Sequence, residues 1–294
     1  MVNGWKRKCE GKSEAGRDAA KNEWDHNRKG MGGRYMKQLP ICDILGVHVC
    51  VTSMPEVVAL LKEYIEELRG KYICVSNVHT TVMAYENSDY MAVQNGAAYV
   101  LPDGKPLSIV SRKRGFSGAQ RVAGPDLMGE LFRDAEENRT ALRHYFFGGS
   151  PETIKALEAK LKETYPHLQT AGFVSPPFRK LTEKEDEEAV RLINESGADI
   201  LWVGLGAPKQ ENWMQAHEGR VHAVMLGVGA GFDFHAGTIK RAPKWMQKCS
   251  LEWLYRLCQE PGRLMKRYLK TNLKFVRLVR AENRRLRASA RKSD

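Results

Sequence analysis

The chain has 294 residues, 42% hydrophobic and 28% charged, a composition that fits a soluble globular protein and excludes both wholesale disorder and a collagen-like repeat. Its net charge of +12 is unevenly placed: residues 1–38 carry +5, residues 263–294 carry +10, and the stretch between is slightly acidic at −3. No run approaches the roughly 18–20 apolar residues that cross a bilayer, and the amino-terminal sequence lacks the apolar centre of a signal peptide, so a cytoplasmic protein is predicted. Six cysteines without a C-x-x-C pair suit reduced, packed thiols better than disulfides or a structural zinc.

Residues 1–38 are polar and rich in Gly, Lys and Asn, without a sustained period, and are predicted to be a disordered extension, with order beginning near Leu39. ICDILGVHVCV then reads as a strand or hairpin, and Ser53-Met-Pro-Glu56 as a capping box opening a helix that runs to about Arg69. A strand follows at Tyr72–Ser76, a helix from about Thr80, a short strand at Ala98–Leu101, and helical patterns near Lys105–Arg114 and Asp126–Asn138. The second half is more regular. The strand His144–Phe147 ends in Gly148-Gly149-Ser150 and leads into a helix over Pro151–Tyr165. The strand Gln169–Val174 leads to a helix capped by Thr182-x-x-Glu185. Asp199–Val203 ends in GLGAPKQE before a short helix, and Val221–Val228 ends in GVGAGFDFHAG with no obvious helix after it. Strands alternating with helices predict an α/β fold with a mostly parallel, Rossmann-like sheet and helices on both faces. The division expected is an extension over 1–38, an α/β core over 39–245 and a basic helical appendage over 246–294.

In such sheets ligands bind outside the carboxyl ends of the strands, and the unusual residues cluster there. Asn77, His79 and Thr80 follow one strand, Asp103 and Gly104 another, Gly148, Gly149 and Ser150 a third. Gly204, Gly206, Pro208, Lys209, Gln210 and Glu211 follow a fourth, and Asp233 and Arg241 lie beyond a fifth. Glycine turns that open helices let backbone N–H groups approach a phosphate, which favours a nucleotide or sugar-phosphate ligand; the full G-x-G-x-x-G of a dinucleotide site is absent. Asp103 on its Pro-Asp-Gly turn reads either as a helix cap for the segment after Lys105 or as a general base on a rigid strand end. No D-x-D is present to hold a metal on a diphosphate, so protein cations are the expected counter-charge, arginine best of all because its fork matches phosphate oxygens.

From Ser250 the chain is helical in pattern. Met265, Tyr268, Leu269, Leu273, Val276 and Val279 recur at three- and four-residue steps between flanks of Lys and Arg. Three readings compete for this stripe: an anionic membrane surface, packing on the domain, and a nucleic-acid arm. The interfacial aromatics Trp245, Trp253, Tyr255 and Tyr268 favour the membrane, and no helix-turn-helix, RRM or zinc-finger pattern supports base reading.

The ordered set SNVHTTV, YVLPDGKPL, RVAGPDLM, FFGGSPET, GLGAPKQE, GVGAGFDFHAGTIKRAP and LEWLYRLCQEPGR, spanning about 73–267, closely resembles the WecG/TagA/CpsF glycosyltransferases (glycosyltransferase family 26). The resemblance implies a metal-independent, inverting transferase without a cofactor. It would move N-acetylmannosamine, or its uronic acid, from UDP to the 4-hydroxyl of N-acetylglucosamine on undecaprenyl diphosphate, as in wall teichoic acid synthesis. By motif, Asp103 matches the catalytic base and Asn77 and Gln210 match sugar-pocket residues; Val75 stands where the family carries a threonine. Arg256 and Arg263 match appendage arginines that hold the UDP diphosphate, with the third position falling on Lys266 or Arg267. The resemblance further implies a peripheral protein on the inner face of the cell membrane, and it is compatible with a homo-oligomer.

Overall fold

The computed structural model describes residues 36–243, 245–246, 252–259 and 261–291. Met36 is already buried, the Tyr99 hydroxyl donates to Lys37 O at 2.6 Å, and Lys37 pairs with Glu56. Packed structure thus reaches back at least to Met36, three residues before the predicted Leu39; the rest of the extension lies outside the described residues.

A hairpin of β1 (Ile41–Ile44) and β2 (Val47–Cys50) precedes a six-stranded sheet formed by β3 (Tyr72–Ser76), β4 (Tyr99–Pro102), β5 (Arg143–Gly148), β6 (Gln169–Val174), β7 (Ile200–Gly204) and β8 (Val224–Gly227). Every pairing in the large sheet is parallel, in the order β4-β3-β8-β7-β5-β6. The connecting helices are α1 (Met54–Glu63), α2 (Ile65–Leu68), α3 (Val78–Glu86), α4 (Ser88–Gly96), α5 (Lys105–Lys113), α6 (Gly124–Asn138), α7 (Pro151–Thr164), α8 (Glu183–Glu195), α9 (Lys209–Ala216) and α10 (Gly231–Ala236). Two more follow, α11 (Glu252–Gln259) and α12 (Pro261–Arg291).

Both faces of the sheet are covered, and the period of two along each strand decides which residue serves which face. Ile73, Val75, Phe146, Trp202 and Leu226 pack with Leu61 of α1, Phe132 of α6 and Leu157 of α7. Their neighbours Tyr72, Cys74, Phe147, Leu201 and Met225 turn the other way, onto Val82 of α3, Leu107 of α5 and Met214 of α9. The largest core side chains are paired as well as packed. Trp202 Nε1 donates to His144 Nδ1 at 3.0 Å, and burial holds the His144 pKa down to about 3, so the imidazole stays a neutral acceptor.

Several boundaries move. The helix from Ser53 breaks at Tyr64, giving α1 and α2, and its box is half formed: Glu56 N donates to Ser53 Oγ, but the Glu56 carboxylate serves Lys37 and Thr52. The box at Thr182 and Glu185 is complete. A short helix, α10, does follow GVGAG. Cys42, Cys50 and Cys74 are buried thiols.

The largest departure concerns the appendage. The packed seam of α12 is Phe275, Leu278 and Val279, against the side of the core that includes α3, whereas Leu273 and Val276 of the predicted stripe are 65% and 43% exposed. An ion pair and two hydrogen bonds hold the docked helix. Arg114 Nη2 meets Glu282 Oε2 at 2.5 Å, Arg114 Nε donates to Asn283 at 3.1 Å, and Leu45 N donates to Glu282 Oε1 at 3.1 Å. Among the described residues no helix is long and apolar enough to cross a membrane.

Candidate active site

Strand β8 sits between β3 and β7, so the carboxyl ends of β3, β4 and β8 surround a cleft of about 850 Å³. Its walls include Asn77, His79 and Thr80 after β3, Asp103 and Gly104 after β4, Gly206, Gln210 and Glu211 after β7, and Gly227 to Ala230 after β8. Another wall is α12, through Asn272, Phe275, Val276, Val279, Arg280 and Asn283, with Ile109, Val110 and Lys113 of α5, and Arg121 and Glu252 also line the cleft.

Asp103 leaves the sheet with its N–H donating to Ser76 O at 2.8 Å, which fixes the turn across the β3–β4 pair. The cap reading fails here: Gly104 is the N-cap of α5, and no side chain caps that helix. The carboxylate is therefore not used as a helix cap, and its side chain is 28% exposed. Burial pushes its pKa above the ordinary carboxylate value; Arg121 and a hydrogen bond from Asn77 pull it back, while Glu252 and Asp126 push it further up. This is the environment of a base: raised affinity for a proton, but a cation near enough to let it ionise.

Asn77 does two jobs. Its Oδ1 accepts from His79 N at 2.9 Å and Thr80 N at 3.3 Å, forming a capping box with Thr80 that starts α3, and its side chain reaches Asp103. Val75 lines the cleft, and the adjacent Ser76 hydroxyl is turned inward to Gln94.

Arg121, in RVAGPDLM, is central to the site although its sequence context points to no role. Its Nε donates to Asp103 O at 2.7 Å and its Nη2 stands 3.7 Å from Asp103 Oδ1, 2.9 Å from Glu252 Oε2, with Nη1 3.3 Å from Asp126 Oδ2. Arg241 completes the cluster behind, at 2.5 Å from Asp126 and 2.9 Å from Glu252. Two arginines thus serve three carboxylates. The sequence signal was an arginine just before a Gly-Pro-Asp helix start; that it folds back on Asp103 is a tertiary fact.

Gly148, Gly149, Ser150, Gly204, Pro208, Lys209, Asp233 and Arg241 do not line the cleft. Gly148 lies at φ 133°, and a Cβ there would sit 2.5 Å from Gly204 C; Gly149 N donates to Gly204 O at 3.1 Å. These turns close on each other. Ser150 caps α7, whose Thr153 hydroxyl donates to Asp233 at 3.1 Å. The side chains of Arg256, Arg263, Lys266 and Arg267 lie outside the described residues. A second depression, about 720 Å³ between α1 and α6, is bordered by surface pairs such as Lys62–Asp134 and holds no comparable cluster.

Fold and cleft together define an α/β enzyme with its site at the carboxyl edge of a parallel sheet. The chain belongs to the glycosyl transferase WecG/TagA/CpsF family, whose sequence model matches residues 42–289, and is a glycosyltransferase. It is 31% identical over 205 residues to the N-acetylglucosaminyldiphosphoundecaprenol N-acetyl-beta-D-mannosaminyltransferase of Bacillus subtilis (strain 168), covering 69% of this chain and 77% of that one. It is 30% identical over 228 residues to the enzyme of the same name from Staphylococcus aureus (strain MW2), covering 76% and 86%.

Proposed function

We propose that this enzyme transfers N-acetylmannosamine from UDP to the 4-hydroxyl of N-acetylglucosamine on undecaprenyl diphosphate, in one inverting displacement that needs no metal. The names of its relatives supply the acceptor and the sugar. One observation carries the mechanism: the Asp103 carboxylate lies in the cleft, spent on no cap, with its pKa raised by burial. Asp103 accepts the proton of the acceptor hydroxyl as that oxygen bonds to the anomeric carbon; the bond to UDP breaks on the opposite face, and UDP leaves with the electron pair. Arg256, Arg263 and Lys266 or Arg267 are the proposed cations for the departing diphosphate. Asn77 and Gln210 hold the sugar, and the wall of Ile109 and Val276 with Lys113 and Arg280 suits the lipid-linked acceptor.

The test is incubation with UDP-N-acetylmannosamine and a lipid-linked N-acetylglucosamine acceptor, with and without a chelator. UDP released in step with product, a β-linkage by NMR and indifference to the chelator are expected. UDP binding without transfer would instead identify a nucleotide-sugar binding protein, and transfer only from N-acetylmannosaminuronate or glucose donors would reassign the sugar. Peripheral binding to the inner membrane face is proposed for the side of α12 turned away from the cleft, where Leu273 is exposed with Arg277, Arg284 and Arg285. Because α12 also walls the cleft, charge reversal of Arg284, Arg285 and Arg287 is a cleaner test than truncation. Salt-sensitive co-sedimentation with anionic liposomes should fall; no change at low salt removes the membrane role.

A further inference from the structure

A polar chain runs beneath the cleft and joins elements far apart in sequence. The Ser76 hydroxyl donates to Gln94 Oε1, Gln94 Nε2 reaches Tyr90 Oη at 3.0 Å, and the Tyr90 hydroxyl lies against the Glu211 carboxyl group. Glu211 Oε1 accepts from Gln210 Nε2 at 2.8 Å. Gln210 then spends its own Oε1 on two backbone donors, Gly206 N at 3.2 Å after β7 and Gly229 N at 3.1 Å after β8. Glu211 is 1% exposed and Gln210 4%.

An amide has two orientations of nearly equal shape and opposite hydrogen bonding. Turned over, Gln210 would set its NH₂ against two N–H groups and its oxygen against the Glu211 oxygen. The two backbone N–H groups demand the amide oxygen, and Glu211 holds the other end of the amide by accepting from Nε2. The side chain has little room to escape the choice, since a Cβ on Gly227 would come within 2.9 Å of Gln210 Nε2. Nor is Glu211 placed for stability. Its Oε2 has no hydrogen-bond partner among the described residues, and burying a carboxyl group with an unsatisfied oxygen costs free energy that a plain core residue would not.

We propose that Glu211 is a positioning residue. By accepting from Gln210 Nε2 it locks the amide that ties the turn after β7 to the turn after β8, and so sets the wall against which the donor nucleotide lies. This inference rests on the reading of the cleft as a UDP-sugar site.

The test uses the full-length chain, with UDP as the probe in titration calorimetry and the melting temperature as the check on folding. Glu211→Ala should weaken UDP by about tenfold or more, the scale of a lost hydrogen bond to a charged group. Glu211→Gln, whose amide oxygen can accept the same N–H, should recover to within about threefold of the parent. In transfer assays the donor KM should follow UDP affinity, with the acceptor KM unmoved. UDP affinity unchanged in Glu211→Ala, or no better in a folded Glu211→Gln than in Glu211→Ala, overturns the proposal. If Glu211→Ala does not fold, Tyr90→Phe decides: a UDP affinity weaker by about two- to threefold supports it, and an unchanged one overturns it. A parent chain that fails to bind UDP refutes the donor-site reading before any variant is made.

Discussion

The turns that follow β3 and β4 and the glycines Gly148, Gly149 and Gly204 at the ends of β5 and β7 are equally unusual in sequence, yet they are put to opposite uses. At the first pair, the polar side chains of Asn77 and Asp103 open onto a cleft. At the second, glycines let two backbones close on each other, with Gly149 N bonded to Gly204 O. Glycine at a strand end therefore has two meanings, room for a ligand or room for another part of the chain, and only the packing tells them apart.

That contrast can be broken from either side. The largest effect is expected at Asp103. Asp103→Asn should lower turnover by about two to four decades while UDP affinity in calorimetry holds. Because the folded pKa is raised, ionisation of Asp103 costs the native state stability as pH rises through that value; Asp103→Asn should melt higher than the parent at neutral pH, with the difference fading in acid. Normal turnover in this variant would remove the base. Gly148→Ala should do the reverse, costing about 3 kcal/mol in denaturant titration through its φ and the Gly204 contact, with kcat of the folded fraction preserved. A catalytic defect without loss of stability would return the glycine turns to the site.

Glu282→Ala should cost about 2 kcal/mol, since Arg114 and Leu45 N each lose an acceptor, and it should loosen α12 enough to raise KM for the acceptor. A smaller shift is expected at Arg121. With Asp103 as the proposed base, activity should fall on the acid side, and Arg121→Gln should move that limb to higher pH by up to about one unit. An unmoved profile would show that the guanidinium does not act on Asp103. The exposed pair Arg191–Glu195 is the control; Arg191→Ala should change stability by less than about 0.5 kcal/mol.

The layered fold was legible because alternation and capping are local: the strands fall where the apolar runs fall, and Thr182 with Glu185 and Ser150 cap the helices they precede. Asp103 was legible as a turn carboxylate, though nothing local distinguished base from cap. What stayed hidden was pairing across the fold. Arg121 meets Glu252 across 131 positions, and Glu211 acquires meaning only through Gln210 and the turn after β8. In the appendage Leu273, Val276 and Val279 fit one helical stripe, yet the packed residues are Val279 and Phe275, the latter outside that stripe; the side chains of Met265, Tyr268 and Leu269 lie outside the described residues.

The strand order has a kinetic consequence. β3 and β4 form one half-sheet and β5, β6 and β7 another, each pairing strands close in sequence, whereas β8 joins β3 to β7 with partners such as Ile73 and Leu226. Closing a loop of that span is the entropically slow event in such a topology. The two halves can assemble early, and the insertion of β8 is the weld between them. The cleft lies along that weld, so substrate-binding capacity should emerge in the last phase of refolding, after most of the secondary structure has formed.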